Sequence, residues 1–333
     1  MVRVSGPRPN GGETSRVSPA TRDSSTKSSP SPTTCRGGCS SPPGSPTRTL
    51  SRACDSRPRS PASWGPTPTS ETVRRENTVK VDVDLGRDLD GWVQRAQQFE
   101  SEGYDALWAS ETGHDPFGLL CALAPATTRV QLGTGIAVAF ARSPMVTATL
   151  ANDLHILSGG RSLLGLGSQV RPHIERRYSM TWSHPAARMH EYLRALRAIW
   201  ASWHEGERLF FRGEFYRHTL MTPFFNPGPS PYGSPPIYLA AVGEKMTEVA
   251  GELAEGLLVH PFTSVHYLRE VTTPALARGR ERASAPIGPT EVSLSAFVVT
   301  GVDERSFEVA RRAVRSQIAF YASTPAYRPV LLA

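Results

Sequence analysis

Three proton-carrying residues stand within five positions of one another. Glu111, His114 and Asp115 lie in ETGHDPF, residues 111–117, directly after an apolar run at 104–110 that reads as a strand. A histidine beside carboxylates is held in one tautomer and made more basic, which suits proton transfer to or from a bound substrate. The competing reading is a solvated loop with local capping. Glu111 lies closest to the strand end, while His114 is the one imidazole of the three.

A second stretch, LHILSGGRSLLGLGSQV at 154–170, reads as a helix end, a Gly-Gly turn, a buried strand and a small polar exit. Gly159 and Gly160 sit where a helix C-cap needs positive φ. Gly165 and Gly167 let another group approach closely. Ser168 and Gln169 emerge at the strand's carboxyl end, where ligands bind in parallel α/β folds. The stretch is neither a P-loop nor a dinucleotide fingerprint, because GxxxxGK[ST] and the third fingerprint glycine are missing. Beyond it, Arg171, His173, Arg176 and Arg177 with Tyr178 and Trp182 suit a phosphate or a polyanionic tail, or else form a solvated charged turn. Gly133 and Gly135 flatten one side of the run at 129–140, giving either a seat for a planar ring or a bulge. Ala241, Val242 and Gly243 lead into a helix whose first amides make an anion site or an ordinary start. His260 stands at another strand end, as a site residue or a structural one.

The elements that must position these groups follow a βα alternation. Strands are expected at 79–84, 104–110, 129–140, 162–166, 237–241, 257–260 and 292–300. Helices fall between them, with Asp88, Ser183 and Asp303 as N-caps and the stripe Phe307, Ala310, Val314, Ile318 and Tyr321 facing inward. His155 reads as a packed or surface helix residue. RLFFRGEFY reads as a hairpin turning at Arg212–Gly213, followed by a Pro-rich loop at 222–236. Seven βα units amount to a (β/α)8 barrel one unit short. An unclosed barrel exposes edges at its first and last strands, so marginal stability and aggregation are expected.

Composition divides the 333 residues unequally. Residues 1–77 carry twelve Lys+Arg against five Asp+Glu, a surplus equal to the whole chain's formal +7, so residues 78–333 are balanced. That first part is rich in Pro, Ser, Thr, Gly and Arg, with Trp64 its only aromatic residue, and is expected to be disordered. Family-like sequence begins abruptly at Val79, which carries the further expectation that the tail is not native protein. Cys35, Cys39 and Cys54 have no nearby His, so neither metal nor a disulfide framework is expected. There is no apolar stretch of ~18 residues and no secretory h-region, so no membrane partner and a cytoplasmic location are expected. The balanced charge of the ordered part argues against nucleic acid.

The ordered motifs ETGHDPF, GTGIAVAFARSP, SGGR with LGLGSQV, HPAARMHEYLRALRAIW, AAVG, GLLVHPF and YASTPAYRP resemble the luciferase-like monooxygenase family over nearly all of residues 79–331. More narrowly they resemble its deazaflavin (coenzyme F420) dependent oxidoreductase branch. The resemblance implies a TIM barrel of the bacterial-luciferase type, here lacking its last βα unit, and hydride transfer between F420 and a small organic substrate. It implies Glu111, His114 and Asp115 near the reacting carbon and Thr134 and Gly135 against the ring. Ser168, Gln169, Tyr178, Ala241, Val242 and Gly243 would hold the tail phosphates, with His260 at the ring edge. Family members are often dimers, so a homodimer is expected. The alternatives are an FMN-dependent monooxygenase on the same fold, and a truncated silent remnant or binding protein whose basic tail acts.

Overall fold

The computed structural model describes residues 1–5, 79–284 and 288–333. Eight strands close into a barrel: β1 (Val2–Ser5), β2 (Lys80–Asp84), β3 (Ala106–Ala109), β4 (Gln131–Thr134), β6 (Ser162–Gly167), β9 (Ile237–Ala241), β10 (Gly256–Val259) and β11 (Glu291–Leu294). A two-residue strand, β5 (Ala137–Val138), extends the pairing of β6, and β7 (Phe211–Arg212) with β8 (Arg217–His218) forms a separate hairpin. The helices α1 (Trp92–Glu102), α2 (Pro116–Leu123), α3 (Pro144–Leu157), α4 (Pro185–His204), α5 (Glu244–Leu253), α6 (Val265–Tyr267), α7 (Thr273–Arg282), α8 (Glu304–Ala322) and α9 (Arg328–Leu332) complete the alternation.

Every residue of β3, β6 and β10 is buried, as strands covered on both faces must be. The main core lies between strands and helices; a smaller cluster of Ala106, Trp108, Leu163, Tyr238 and Leu258 fills the barrel interior. Trp108 is opposite Gly133 in the β3–β4 ladder. A Cβ at Gly133 would come 2.4 Å from the indole, so the planar group against these glycines is the chain's own Trp108. Gly165 similarly admits the Thr134 carbonyl, 1.9 Å from where its Cβ would be. Gly159 and Gly160 take φ of 64° and 83°, as the end of α3 requires.

The expected open barrel is corrected. β1 sits between β2 and β11 and is antiparallel to both, so the two edges are covered. Val2 and Val4 face outward and Arg3 faces inward, only 1% exposed. Its guanidinium pairs with Asp82 at 3.3 Å and Glu291 at 3.4 Å, and donates to Gln131 Oε1 at 2.6 Å and the Tyr238 hydroxyl at 3.2 Å. Trp108 Nε1 donates to Asp82 at 3.0 Å. Burial pushes the Asp82 carboxyl up, against the pull of Arg3 and the indole bond. Expected disorder over residues 1–77 therefore fails for Val2–Ser5; beyond Ser5 it falls outside the described residues, as do Cys35, Cys39 and Cys54.

Smaller expectations also change. The run at 129–140 splits into β4 and β5 around a cis Gly135–Ile136 peptide. The last strand stops at Leu294. Gly91, not Asp88, caps α1, and His184, at φ 37°, caps α4 without a side-chain bond in place of Ser183. The hairpin turns through residues 213–216, where the Gly213 amide donates to the Tyr216 carbonyl. Asp303 does cap α8, in a capping box with Ser306, but no residue of α8 is buried. Along its apolar stripe Phe307 and Ile318 are exposed, while Ala310, Val314 and Tyr321 are half-buried, Tyr321 against His260 and Phe262.

Removing one partner of a buried pair strands the other charge, at about 3–5 kcal/mol. Arg3→Ala is therefore expected to lower unfolding free energy by that amount. Lys80→Ala breaks a half-exposed bond to Glu291 at 2.7 Å and should cost at most about 1 kcal/mol. Urea midpoints of the two variants check this; equal losses would refute closure through Arg3.

Candidate active site

The strand carboxyl ends place the candidate residues around one rim. At the end of β3, Ser110 donates to the Gly135 carbonyl at 2.8 Å and the Glu111 amide to the Ile136 carbonyl at 3.2 Å, fixing the exit against the β4–β5 turn. The Glu111 side chain, 7% exposed, then accepts three bonds. They come from the Val138 amide at 2.7 Å, Arg142 Nη1 at 2.6 Å and the Tyr178 hydroxyl at 3.0 Å. Arg142 Nη2 reaches Asp115 at 2.5 Å, while the other Asp115 oxygen caps α2 by accepting from Phe117 and Gly118 amides. Burial would lower the Arg142 pKa, but the bond and charge of Glu111 and the bond and charge of Asp115 hold it raised. Burial and then Glu111 push the Tyr178 phenol up, so it stays a donor at neutral pH.

Of the three predicted acid/base residues, two are thus tied to one arginine. His114 is exposed, with no bonding partner among the described residues. Arg177 bonds the Thr112 carbonyl and lies over the Tyr178 ring at 4.9 Å, tying the loop after β6 to the loop after β3. Thr134 is buried, its hydroxyl donating to the Gly165 carbonyl at 2.6 Å, and so braces β4 against β6. Gln169 takes φ 61° and its side chain accepts from the Val170 amide; the Ser168 hydroxyl donates to the Gln169 carbonyl.

Farther round the rim, Ala241, Val242 and His260 line a cavity of about 10 Å³ with Tyr267 and Val330. The Tyr267 hydroxyl donates to the Val242 carbonyl at 3.0 Å. Gly243 caps α5 without a side-chain acceptor, so no side chain caps the first amides of α5, and nothing lies within 4 Å of where a Gly243 Cβ would be. His260 is covered by Tyr321 and Tyr327, with ring centroids at 4.6 and 4.5 Å, and its Nδ1 accepts from the Phe262 amide. Burial lowers its pKa to about 4.

Sequence reasoning missed Arg142 as the hub, since its partners lie 27 and 31 positions away; the one local signal was its place at a strand exit before Pro144. It also missed Tyr327 as a cover for His260. Among the described residues there is no His/Cys/Asp/Glu group able to hold a metal and no helix long and apolar enough to cross a membrane.

The model of the luciferase-like monooxygenase family matches residues 70–331. The chain is 51% identical over 253 residues to an uncharacterized protein of Mycobacterium tuberculosis, covering 76% of this chain and 74% of that one. It is 31% identical over 206 residues to an F420-dependent glucose-6-phosphate dehydrogenase of Mycolicibacterium gilvum, covering 57% and 59%. The structure of the coenzyme F420 dependent tetrahydromethanopterin reductase of Methanopyrus kandleri superposes with a TM-score of 0.57, at 19% identity, over 74% of this chain and 72% of that one.

A neutral buried His260 destabilises the covered state only where the uncovered ring would be protonated. The penalty is absent above the ordinary value near 6.5, grows as pH falls through it and is complete near pH 4. Tyr327→Ala should restore solvent to the ring and move its NMR titration midpoint from about 4 toward 6.5. An unchanged midpoint would refute the cover.

Proposed function

The chain belongs to the luciferase-like monooxygenase family, and we propose that within it the protein is an oxidoreductase moving a hydride between coenzyme F420 and a small organic substrate. The observation that carries this reading is the rim itself. A fixed Glu111–Arg142–Asp115 cluster lies at one side and uncapped α5 amides at the other, at the carboxyl ends of one barrel's strands. The F420-dependent relative supports the choice of cofactor.

The donor set fits the anionic arm of such a cofactor. Open amides after Gly243 would receive phosphate oxygens, joined by the Ser168 hydroxyl once it turns from the Gln169 carbonyl. The ring side is filled here by Tyr327 and Val330, so a tricyclic group enters beside His260 only if they swing away. When bound, the deazaflavin supplies the carbon that gives or takes the hydride. The protein's own residues orient and protonate. Glu111, held by three donors, stays in one position; Arg142 and Tyr178 position it; His114, free of bonding partners among the described residues, carries the accompanying proton. A homodimer and a cytoplasmic location remain part of this reading.

Titration with F420 and, separately, with FMN tests it through cofactor fluorescence: quenching by F420 alone is expected. Binding of FMN alone would replace the reading with oxygen-activating monooxygenase chemistry. Binding of neither by a folded chain would leave the silent remnant. Gly243→Asp gives a sharper result, because it caps α5 and repels an anion. It should raise stability by a few tenths of a kcal/mol while weakening F420 binding about tenfold or more.

A further inference from the structure

On the outer wall of the barrel, between α4 and α5, lies a groove of about 580 Å³ that the rim chemistry does not use. That volume is in the range of small-molecule sites. Its roof, the tip of the β7–β8 hairpin, is rigidly built. The Glu191 carboxylate accepts from the amides of Glu214, Phe215 and Tyr216 at 2.8, 2.8 and 2.5 Å. Gly213 lies so close that a Cβ there would come 2.1 Å from that carboxylate.

Charge in the groove is unevenly committed. Glu191 is spent on the hairpin amides, Glu248 on Arg278 and Arg282, and Glu252 on His190. Among the described residues, Glu214, exposed at the open tip, is the one lining acid without a side-chain bond. Arg194 from α4 and Lys245 from α5 line the same groove and have no ion-pair or hydrogen-bond partner among the described residues. Phe210, which leads into the hairpin and lines the same groove, is 59% exposed, with the Arg212 and Arg208 guanidinium groups 5.0 and 5.8 Å from its ring centre.

Unpaired cations on two facing helices call for an anion, and a guanidinium fits carboxylate or phosphate oxygens in pairs. An exposed aromatic wall calls for an apolar body attached to it. We propose that the groove binds a small organic anion, its carboxylate or phosphate held by Arg194 and Lys245 and its aromatic body against Phe210. The inference is independent of what the barrel mouth does.

Calorimetric titration of the full chain with 1-naphthyl phosphate, neutral 2-naphthylmethanol and inorganic phosphate tests it. Naphthyl phosphate should bind about tenfold or more tighter than either of the others. The double variant Arg194→Ala/Lys245→Ala should abolish that advantage, while Arg194→Lys/Lys245→Arg, which keeps the charge, should retain most of it. Phe210→Ala should weaken naphthyl phosphate and leave inorganic phosphate unchanged. Far-UV circular dichroism verifies that each variant is folded. Equal binding of the neutral probe, undiminished binding by the double alanine variant, or no binding at about 10 mM naphthyl phosphate would overturn the proposal.

Discussion

The buried guanidinium of Arg3 is the constraint on which the barrel rests. A cation taken from water costs several kcal/mol unless the interior supplies partners in good geometry. Here the partners come from four strands: Asp82 from β2, Gln131 from β4, Tyr238 from β9 and Glu291 from β11. They converge only when those strands hold their register, so closure and register become one condition. Asp82 also fixes the Trp108 indole, and Trp108 fills the space that Gly133 and Gly135 leave open. The strand carrying Trp108 inward ends one residue later at Ala109, and Ser110 and Glu111 follow directly. Order at the bottom of the barrel is thereby passed to the rim.

At the rim the same logic recurs with opposite exposure. Glu111 and Arg142 are mostly sheltered, whereas Asp115 is half open. Low local dielectric strengthens the inner pair, and the outer carboxylate keeps contact with water while anchoring α2. This gives a rigid side and a soft side within one loop, and His114 lies on the soft side. A group that must exchange protons needs that access, whereas a group that orients a ligand does not.

Much of this was legible in the chain because it is written locally. Continuous apolar runs marked β3, β6 and β10, and the Gly pair ended α3 as its φ values demand. The family resemblance ordered these pieces into a barrel. What stayed hidden is non-local. V-R-V-S is a strand pattern, but four residues disappear within a Pro- and Ser-rich stretch, and an arginine reads as solvated until its acids are found. Gly133 and Gly135 say that something flat lies against them, not that it is Trp108. The periodicity of α8 correctly announces one apolar side, yet period alone does not say whether anything covers it.

The aromatic contact of Tyr321 and Tyr327 with His260 has a kinetic corollary. Any ligand that takes the place of Tyr327 competes with a tethered side chain whose effective concentration is fixed by the fold. Its apparent affinity is the intrinsic one scaled by the uncovered fraction. Its association rate then stops rising with concentration once uncovering becomes the slow step. Shortening the tether between Ala322 and Tyr327 would shift that plateau without touching a single group at the rim.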